Sequence, residues 1–255
     1  MINEELLLRK YSIELPKDLI EKLQDYGRKR DEDSVYEVIS EEEMFELLDF
    51  LEGEDGFKDV CPILTDNNSN YIGYFHAEPL KGKLCFMSHE ETDLSPGFRN
   101  INTLIEQLLS APDCEWFDLV LDYPEIADNG PASIEDLETV KQIKQVLEAE
   151  SLDEDYKQQL YFALVSMIPF SCSEELYEYF DSEDMYVQEK AVDVIRKRKY
   201  IQATQKLFDV AKNGMYNGRM SAIFALKAFK TQETANMLKE LEEILPKGYH
   251  VYLRR

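Results

Sequence analysis

Histidine is nearly missing from this chain of 255 residues; there are three, His76, His89 and His250. His89-Glu90 lacks the second histidine of a His-Glu-x-x-His zinc helix. The four cysteines, Cys61, Cys85, Cys114 and Cys172, stand singly. Without a Cys-x-x-Cys pair, the spaced thiolates of a structural zinc site and the paired thiols of a redox motif are excluded, and the usage fits a reducing compartment. No phosphate-binding loop, no Gly-x-Ser-x-Gly elbow and no dinucleotide fingerprint is present. The longest uncharged run, residues 158–173, holds Pro169 and several polar residues and is too short to span a bilayer. The opening Met-Ile-Asn-Glu-Glu lacks the apolar core of a signal peptide. Asp66, Asn68 and Asn70 imitate the first half of a calcium loop, but Tyr71 stands where that loop needs glycine and Ala77 where it needs the bidentate glutamate. These absences predict a cytoplasmic, non-enzymatic protein with no metal, no cofactor and no membrane partner. Carboxylates abound, yet nothing in the sequence selects a pair of them for acid–base chemistry.

Positive charge is the other deficit. Lysine and arginine number 28 against 52 aspartates and glutamates, a net of −24. Residues 1–130 carry 11 basic and 31 acidic side chains, net −20, whereas residues 191–255 carry 13 and 6, net +7. So acidic a front half disfavours nucleic-acid backbone. It suits either simple solubility or a basic protein partner, whose encounter it would accelerate. Apolar residues make up 44% of the chain, enough for packed cores.

The front half opens with helices. Pro16 stands at a helix start followed by Leu19, Ile20, Leu23 and Tyr26 at helical spacing, with Gly27 as the C-cap and residues 28–33 as a charged loop. Ser40 and Glu43 form a capping box with Ile39 stapled on Met44; Leu47, Leu48 and Leu51 continue the stripe to Gly53. Strand text follows: Pro62-Ile63-Leu64, a polar turn at 66–70, the aromatic run Tyr71-Ile-Gly-Tyr-Phe-His76, a Lys81-Gly-Lys83 turn and Leu84-Cys-Phe-Met, closed by a helix started by Asn102. Alternation puts Tyr71, Gly73 and Phe75 on one face of the aromatic strand and Ile72, Tyr74 and His76 on the other. One face should pack on the helices, and the other is either ordinary core or a part-exposed platform of interface anchors. The candidate partner-binding set is therefore Asp66, Tyr71, Tyr74, His76, Glu78, Glu90, Glu91 and Asp93.

Over roughly residues 10–110 this order of a Leu15-Pro16 helix, a Ser40-capped helix, Pro62-Ile63-Leu64, aromatic strand, Lys81-Gly-Lys83 turn and closing helix resembles the SUKH superfamily, which includes Syd-like proteins and yeast cell-wall-synthesis regulators. The turn at 66–70 departs from it, since members usually carry glycine with an acidic residue there. The resemblance implies an α+β fold with helices around a bent antiparallel sheet. It also implies a binding role, most often as a bacterial immunity protein that neutralises a polymorphic toxin, nuclease toxins among them.

Residues 112–132, with Pro112, Pro124, Pro131 and Asn129-Gly130, read as a linker. Trp116, Phe117, Leu119 and Leu121 interrupt it and predict either an edge strand or a plug between domains, so the linker is packed. Beyond it a 31-residue offset aligns Leu160, Ala191 and Ala222; Tyr161, Val192 and Ile223; Ala163, Val194 and Ala225; Leu164, Ile195 and Leu226; Leu176, Leu207 and Leu238; and Tyr179, Val210 and Leu241. Period and pairing resemble HEAT-type helical repeats, each unit shorter than usual. Ser133 would cap a preceding helix carrying Leu137, Val140, Ile143 and Leu147. Arg196-Lys-Arg-Lys199 is read either as cations at a helix C-terminus or, with Arg219, Lys212, Lys227 and Lys230, as a basic patch able to grip nucleic acid or an acidic surface.

The sequence thus predicts an α+β domain over 1–111, a packed linker over 112–132 and an all-α short solenoid over 133–255. The predicted function is non-catalytic protein binding: occlusion of a basic toxin domain or, as the alternative, a scaffold or regulatory adaptor using a HEAT-like protein- or nucleic-acid-binding face.

Overall fold

The structure, a computed structural model, describes residues 3–128, 130–149 and 151–254, and among these not the side chains of 131–133. It has an α+β N-terminal region followed by helices. The chain divides into two compact units, Met1–Tyr123 with Gln145–Leu160, and Pro124–Lys144 with Tyr161–Arg255. In this division residues 112–123 stay with the sheet, and residues 145–160, from further along the chain, join them.

In the first unit, α1 (Glu4–Tyr11) starts at Asn3, whose side chain accepts from the Leu6 amide. Helix α2 (Lys17–Lys29) starts after Pro16 as the sequence predicts, but it runs through Gly27 and takes in Arg28 and Lys29. Helix α3 (Glu41–Phe50) is capped by Ser40 Oγ on the Glu43 amide at 3.1 Å. The Glu43 carboxylate does not close the box; it accepts instead from Thr65 Oγ1 at 3.4 Å. Helix α4 (Ile101–Ser110) begins before Asn102, because Asn100 Oδ1 takes the amides of Asn102 and Thr103.

Five antiparallel strands run in chain order across the sheet: β1 (Glu37–Val38), β2 (Val60–Thr65), β3 (Tyr71–Phe75), β4 (Leu84–Met87) and β5 (Pro96–Phe98). The register shifts between Pro62 and Leu64 in β2, where proline cannot donate to a ladder and a bulge absorbs the residue. On one face Ile63, Ile72, Tyr74, Leu84 and Phe98 join Leu19, Leu23, Met44 and Leu104 from the helices in one core. On the opposite face Val60, Cys85 and Met87 close over Gly73, where an added Cβ would lie 2.3 Å from Val60 Cγ1. The stretch 145–160 is tied to this unit by Tyr156, whose hydroxyl donates to Asp59 Oδ2 at 2.6 Å, and by Gln159, which accepts from the Leu94 amide and donates to the Thr92 carbonyl. Trp116 packs on the sheet of its own unit: its ring lies where a Cβ on Gly97 would be, 2.3 Å from Cζ2. That contact requires glycine at 97.

The helices from Glu154 onward carry the repeat, residues 154–160 belonging to the first unit and the rest to the second. Helices α6 (Glu154–Met167), α7 (Met185–Lys197) and α9 (Tyr216–Phe229) begin 31 residues apart, and so do the segments starting at Phe170, Ile201 and Gln232. Four of the six aligned columns are buried at every member; the others have one half-buried member each, Tyr161 and Leu238. The second helix of the first pair is a run of 3₁₀ turns, Phe170–Asp181. Its buried Ser173, Leu176 and Tyr179 recur every three residues, the 3₁₀ period. Helix α8 (Thr204–Asn213) and helix α10 (Gln232–Ile244) complete the later pairs, with α9 packed on α7, α8 and α10. Helix α5 (Pro131–Leu147) precedes the array, so Ser133 falls inside its first turn, and its expected capping side chain lies outside the described residues.

Successive repeats are joined by Gln188, 4% exposed. Its amide donates to the Phe180 carbonyl, and its oxygen accepts from the Met215 amide at 2.9 Å. One period later the pair is Arg219 and Pro246. Arginine has no acceptor to offer and proline no N–H, so the link cannot recur. Arg219 lies over the Tyr249 ring instead, at 4.9 Å, and the short helix α11 (His250–Arg254) packs on α9 and α10.

Candidate functional site

The predicted partner-binding residues separate to the two ends of β3, a strand about 17 Å long at five residues. At the end where Tyr71 pairs with Thr65 and Met87, the 66–70 turn is organised by Asp66. Its carboxylate accepts from the amides of Asn68 at 2.8 Å and Asn70 at 3.1 Å and from Asn70 Nδ2 at 2.8 Å. Asn67 and Ser69 sit at φ 58° and 64°. Asn70 Oδ1 in turn meets His89 Nδ1 at 2.9 Å. Asp66 is thus the turn's internal acceptor, and through Asn70 it holds the His89-Glu90-Glu91 stretch beside the β2–β3 turn. Glu90 and Glu91 are exposed there. Sequence reasoning missed two neighbours: Glu37, which accepts from Asn67 Nδ2 at 2.8 Å and pairs with Arg30, and Glu43, on Thr65. Pairing of β1 with β2 creates that acidic end, and a two-residue strand leaves no pattern in a sequence.

Tyr74 does not belong to a surface. It is 5% exposed, on the core face of the middle strand, where burial pushes its hydroxyl pKa upward. Of the two alternatives for the aromatic strand, ordinary core and a part-exposed platform, its burial matches core, because a central strand has a neighbour on each side and packing above and below. Tyr71 alone of its aromatics is half-buried. Asp93 is half-buried and accepts from the Ser95 amide at 2.9 Å and hydroxyl at 2.5 Å, a turn-forming role. Glu78 is exposed beyond the other end of the strand.

His76, at that far end, donates its amide to the Asp59 carbonyl at 2.9 Å and sets Nε2 3.1 Å from the Lys58 carbonyl. Burial lowers its pKa below the ordinary histidine value, and the Lys58 carbonyl and Asp59 carboxylate counter only part of this. The unfolded chain therefore takes up a proton first on acidification, and stability falls as pH drops through about 6.5, the free-histidine value. We expect urea unfolding between pH 7 and 5 to show a shallower loss in His76→Gln than in the parent. Identical slopes would remove His76 from the titration.

The basic patch also comes apart. Arg198 is 5% exposed and turned inward: it donates to the carbonyls of Glu125, Ile168 and Pro169 and to Ser173 Oγ. Burial brings its pKa down to about 10, still charged at neutral pH. Arg196 pairs with Asp193 at 3.1 Å, and Lys197 and Lys199 are exposed. Gln188 and Met215 meet at the N-terminal ends of α7 and α9, so Arg219, in the first turn of α9, lies at the opposite end of the repeat from Arg196 at the close of α7. A 13-residue helix separates the two ends by roughly 20 Å. The set is not one patch.

Among the described residues, no group of three or more His, Cys, Asp or Glu side chains is placed to hold a metal ion. The Cys61 thiol is pushed up to about 12 by burial, and that of Cys85 is also raised; both are packing residues rather than nucleophiles. No described helix is long and apolar enough to cross a membrane. No family model, curated protein or solved structure matches the chain. The SUKH-like and HEAT-like resemblances therefore rest on the residues that carry them in the sequence.

Proposed function

We propose that this chain is a protein-binding module whose first unit takes a basic protein surface and acts by occluding it. The observation that supports this most is the charge of residues 1–130, net −20. Several of the few cations there are already committed, Lys10 to Asp49, Lys29 to Asp25, Arg30 to Glu37 and Arg99 to Asp122. Exposed carboxylates such as Glu90 and Glu91 are left to project an unbalanced field that steers a basic partner. The SUKH-like order of elements makes neutralisation of a toxin the specific form of the proposal. It is tested by co-expressing the chain with the product of a toxin gene beside its own: growth is restored if the reading holds, and continued killing with no complex formed rejects it. The regular 31-residue helix spacing favours a second reading, an adaptor whose helical unit carries the binding face. A partner that docks on the second unit alone would select it.

Charge at a rim acts on encounter more than on residence. Glu90→Lys with Glu91→Lys is expected to slow association with a basic partner about tenfold and flatten its salt dependence, with dissociation little changed. Asp93 is left intact because its carboxylate builds the Ser95 turn. Stopped-flow association at two salt concentrations checks this, and a salt-independent rate in the parent would reject electrostatic steering.

A further inference from the structure

Phe117 and Val120 are 78% and 76% exposed, yet the backbone that presents them is fixed at several points. Next to Phe117, Trp116 is buried, and its amide donates to Tyr36 Oη at 3.0 Å. Its ring stacks on Phe86 at 5.4 Å and meets Phe98 edge-on. Phe117 closes edge-on against Phe86 at 5.6 Å. At Val120 the Gln107 side chain works as a fork, donating to the Val120 carbonyl and accepting from its amide, both at 2.8 Å. The Asp122 amide is tied to the Gly97 carbonyl at 2.8 Å. A mobile loop could fold such side chains inward; this one holds a phenylalanine and a valine outward on a rigid base. Pre-ordered aromatic anchors lose little entropy on binding.

The charged side chains that flank the knob along the chain are of one sign. Glu106, Asp113, Glu115 and Asp118 are all exposed, and no lysine, arginine or histidine stands between Arg99 and Lys141. Arg99 itself is paired with Asp122 at 3.3 Å. A second copy of the chain would bring like carboxylates together, and an anionic lipid surface would be repelled in the same way.

We infer that the Phe117–Val120 knob is the anchor of the binding surface and that it receives a cationic amphipathic segment of the partner, apolar side chains on the knob and lysines or arginines on the carboxylates. This rests on the basic-partner reading above and adds the contact that sets residence time. The probes are a fluorescein-labelled amphipathic helical peptide with one leucine and one lysine face, and its glutamate counterpart, titrated by anisotropy into the full chain. The lysine peptide is expected to bind and the glutamate peptide not. Phe117→Asp and, separately, Val120→Asp should each weaken binding at least about tenfold, with unchanged melting since both side chains are exposed. Phe50→Asp, at a site 79% exposed elsewhere in the unit, should leave it unaltered. Undiminished binding in both knob variants, or equal loss in Phe50→Asp, overturns the inference while the acidic-surface reading survives. No binding of the lysine peptide by the parent overturns both. A concentration-dependent dimer in sedimentation, abolished by Phe117→Asp, would make the occupant a second copy and overturn the inference as well.

Discussion

Ala222→Asp should unfold the helical unit well before the parent melts. Ala222 is 0% exposed in α9, the helix packed on α7, α8 and α10, and its column partners Leu160 and Ala191 are buried too. An aspartate there either carries an unpaired charge into an apolar site or takes up a proton and still leaves polar atoms unbonded. It also overfills a space shaped for a methyl group. The cost should be about 4 kcal/mol or more, in the exceptional range for one substitution, and the midpoint should fall by on the order of 10 °C. Ala228 provides the control: on the same helix but exposed, its change to aspartate should stay within about 0.5 kcal/mol. Thermal unfolding followed by circular dichroism separates the two. Equal behaviour of both variants would mean that the 31-residue register is misassigned.

Removing the Arg198 side chain should cost nearly as much, for the opposite reason: a buried charge would be taken from partners arranged for it. In Arg198→Ala the carbonyls of Glu125, Ile168 and Pro169 and the Ser173 hydroxyl lose their donor. The Glu125 carboxylate, 2% exposed and accepting from the Phe170 amide at 2.8 Å, loses the neighbouring cation. Breaking such a buried set by deleting one member costs about 3–5 kcal/mol. Lysine should recover only part of it, because a single ammonium cannot reach acceptors fanned around a planar guanidinium. Arg196→Ala, two residues away and paired with Asp193 in the same helix, should cost roughly 0.5 kcal/mol or less. Chemical denaturation of the three variants decides it. An Arg198→Ala protein as stable as Arg196→Ala would show that these hydrogen bonds contribute nothing net.

Those two variants mark where the sequence was readable and where it was not. The column holding Ala222 could be read because a repeat writes the same burial pattern three times, and six coincidences at one offset outweigh the ambiguity of any single alanine. Ser40 and Pro16 were readable as helix starts because capping acts over three or four residues, and those residues are adjacent in the chain. Arg198 was not readable. In Arg196-Lys-Arg-Lys199 all four cations look alike, and only the arrival of Glu125 and of residues 168–173, 25 or more positions away, turns one of them inward. Tyr74 failed for a related reason. An aromatic strand apolar on both faces fits an exposed platform and a central strand equally well, and the strand order decides between them. That order includes β1 and β5, two and three residues long, too short for an alternation to show. Phe117 illustrates the reverse. It read as part of a plug with Trp116 and Leu119, and the fold kept those two inside while leaving Phe117 on the surface.

By itself, then, the sequence determined the α+β region followed by helices, the 31-residue helical period and the acidic front half, because each is set by local spacing or by composition and needs no knowledge of what folds against what. Tertiary structure alone decided that the sheet's unit takes in residues 145–160, that the aromatic strand is core, that Arg198 turns inward while Arg219 lies at the opposite end of the repeat from Arg196, and that Phe117 and Val120 stand out on a rigid base. Each of those is a property of contacts between segments far apart in the chain, where burial, and with it the role of a side chain, is assigned by neighbours that the local sequence does not contain.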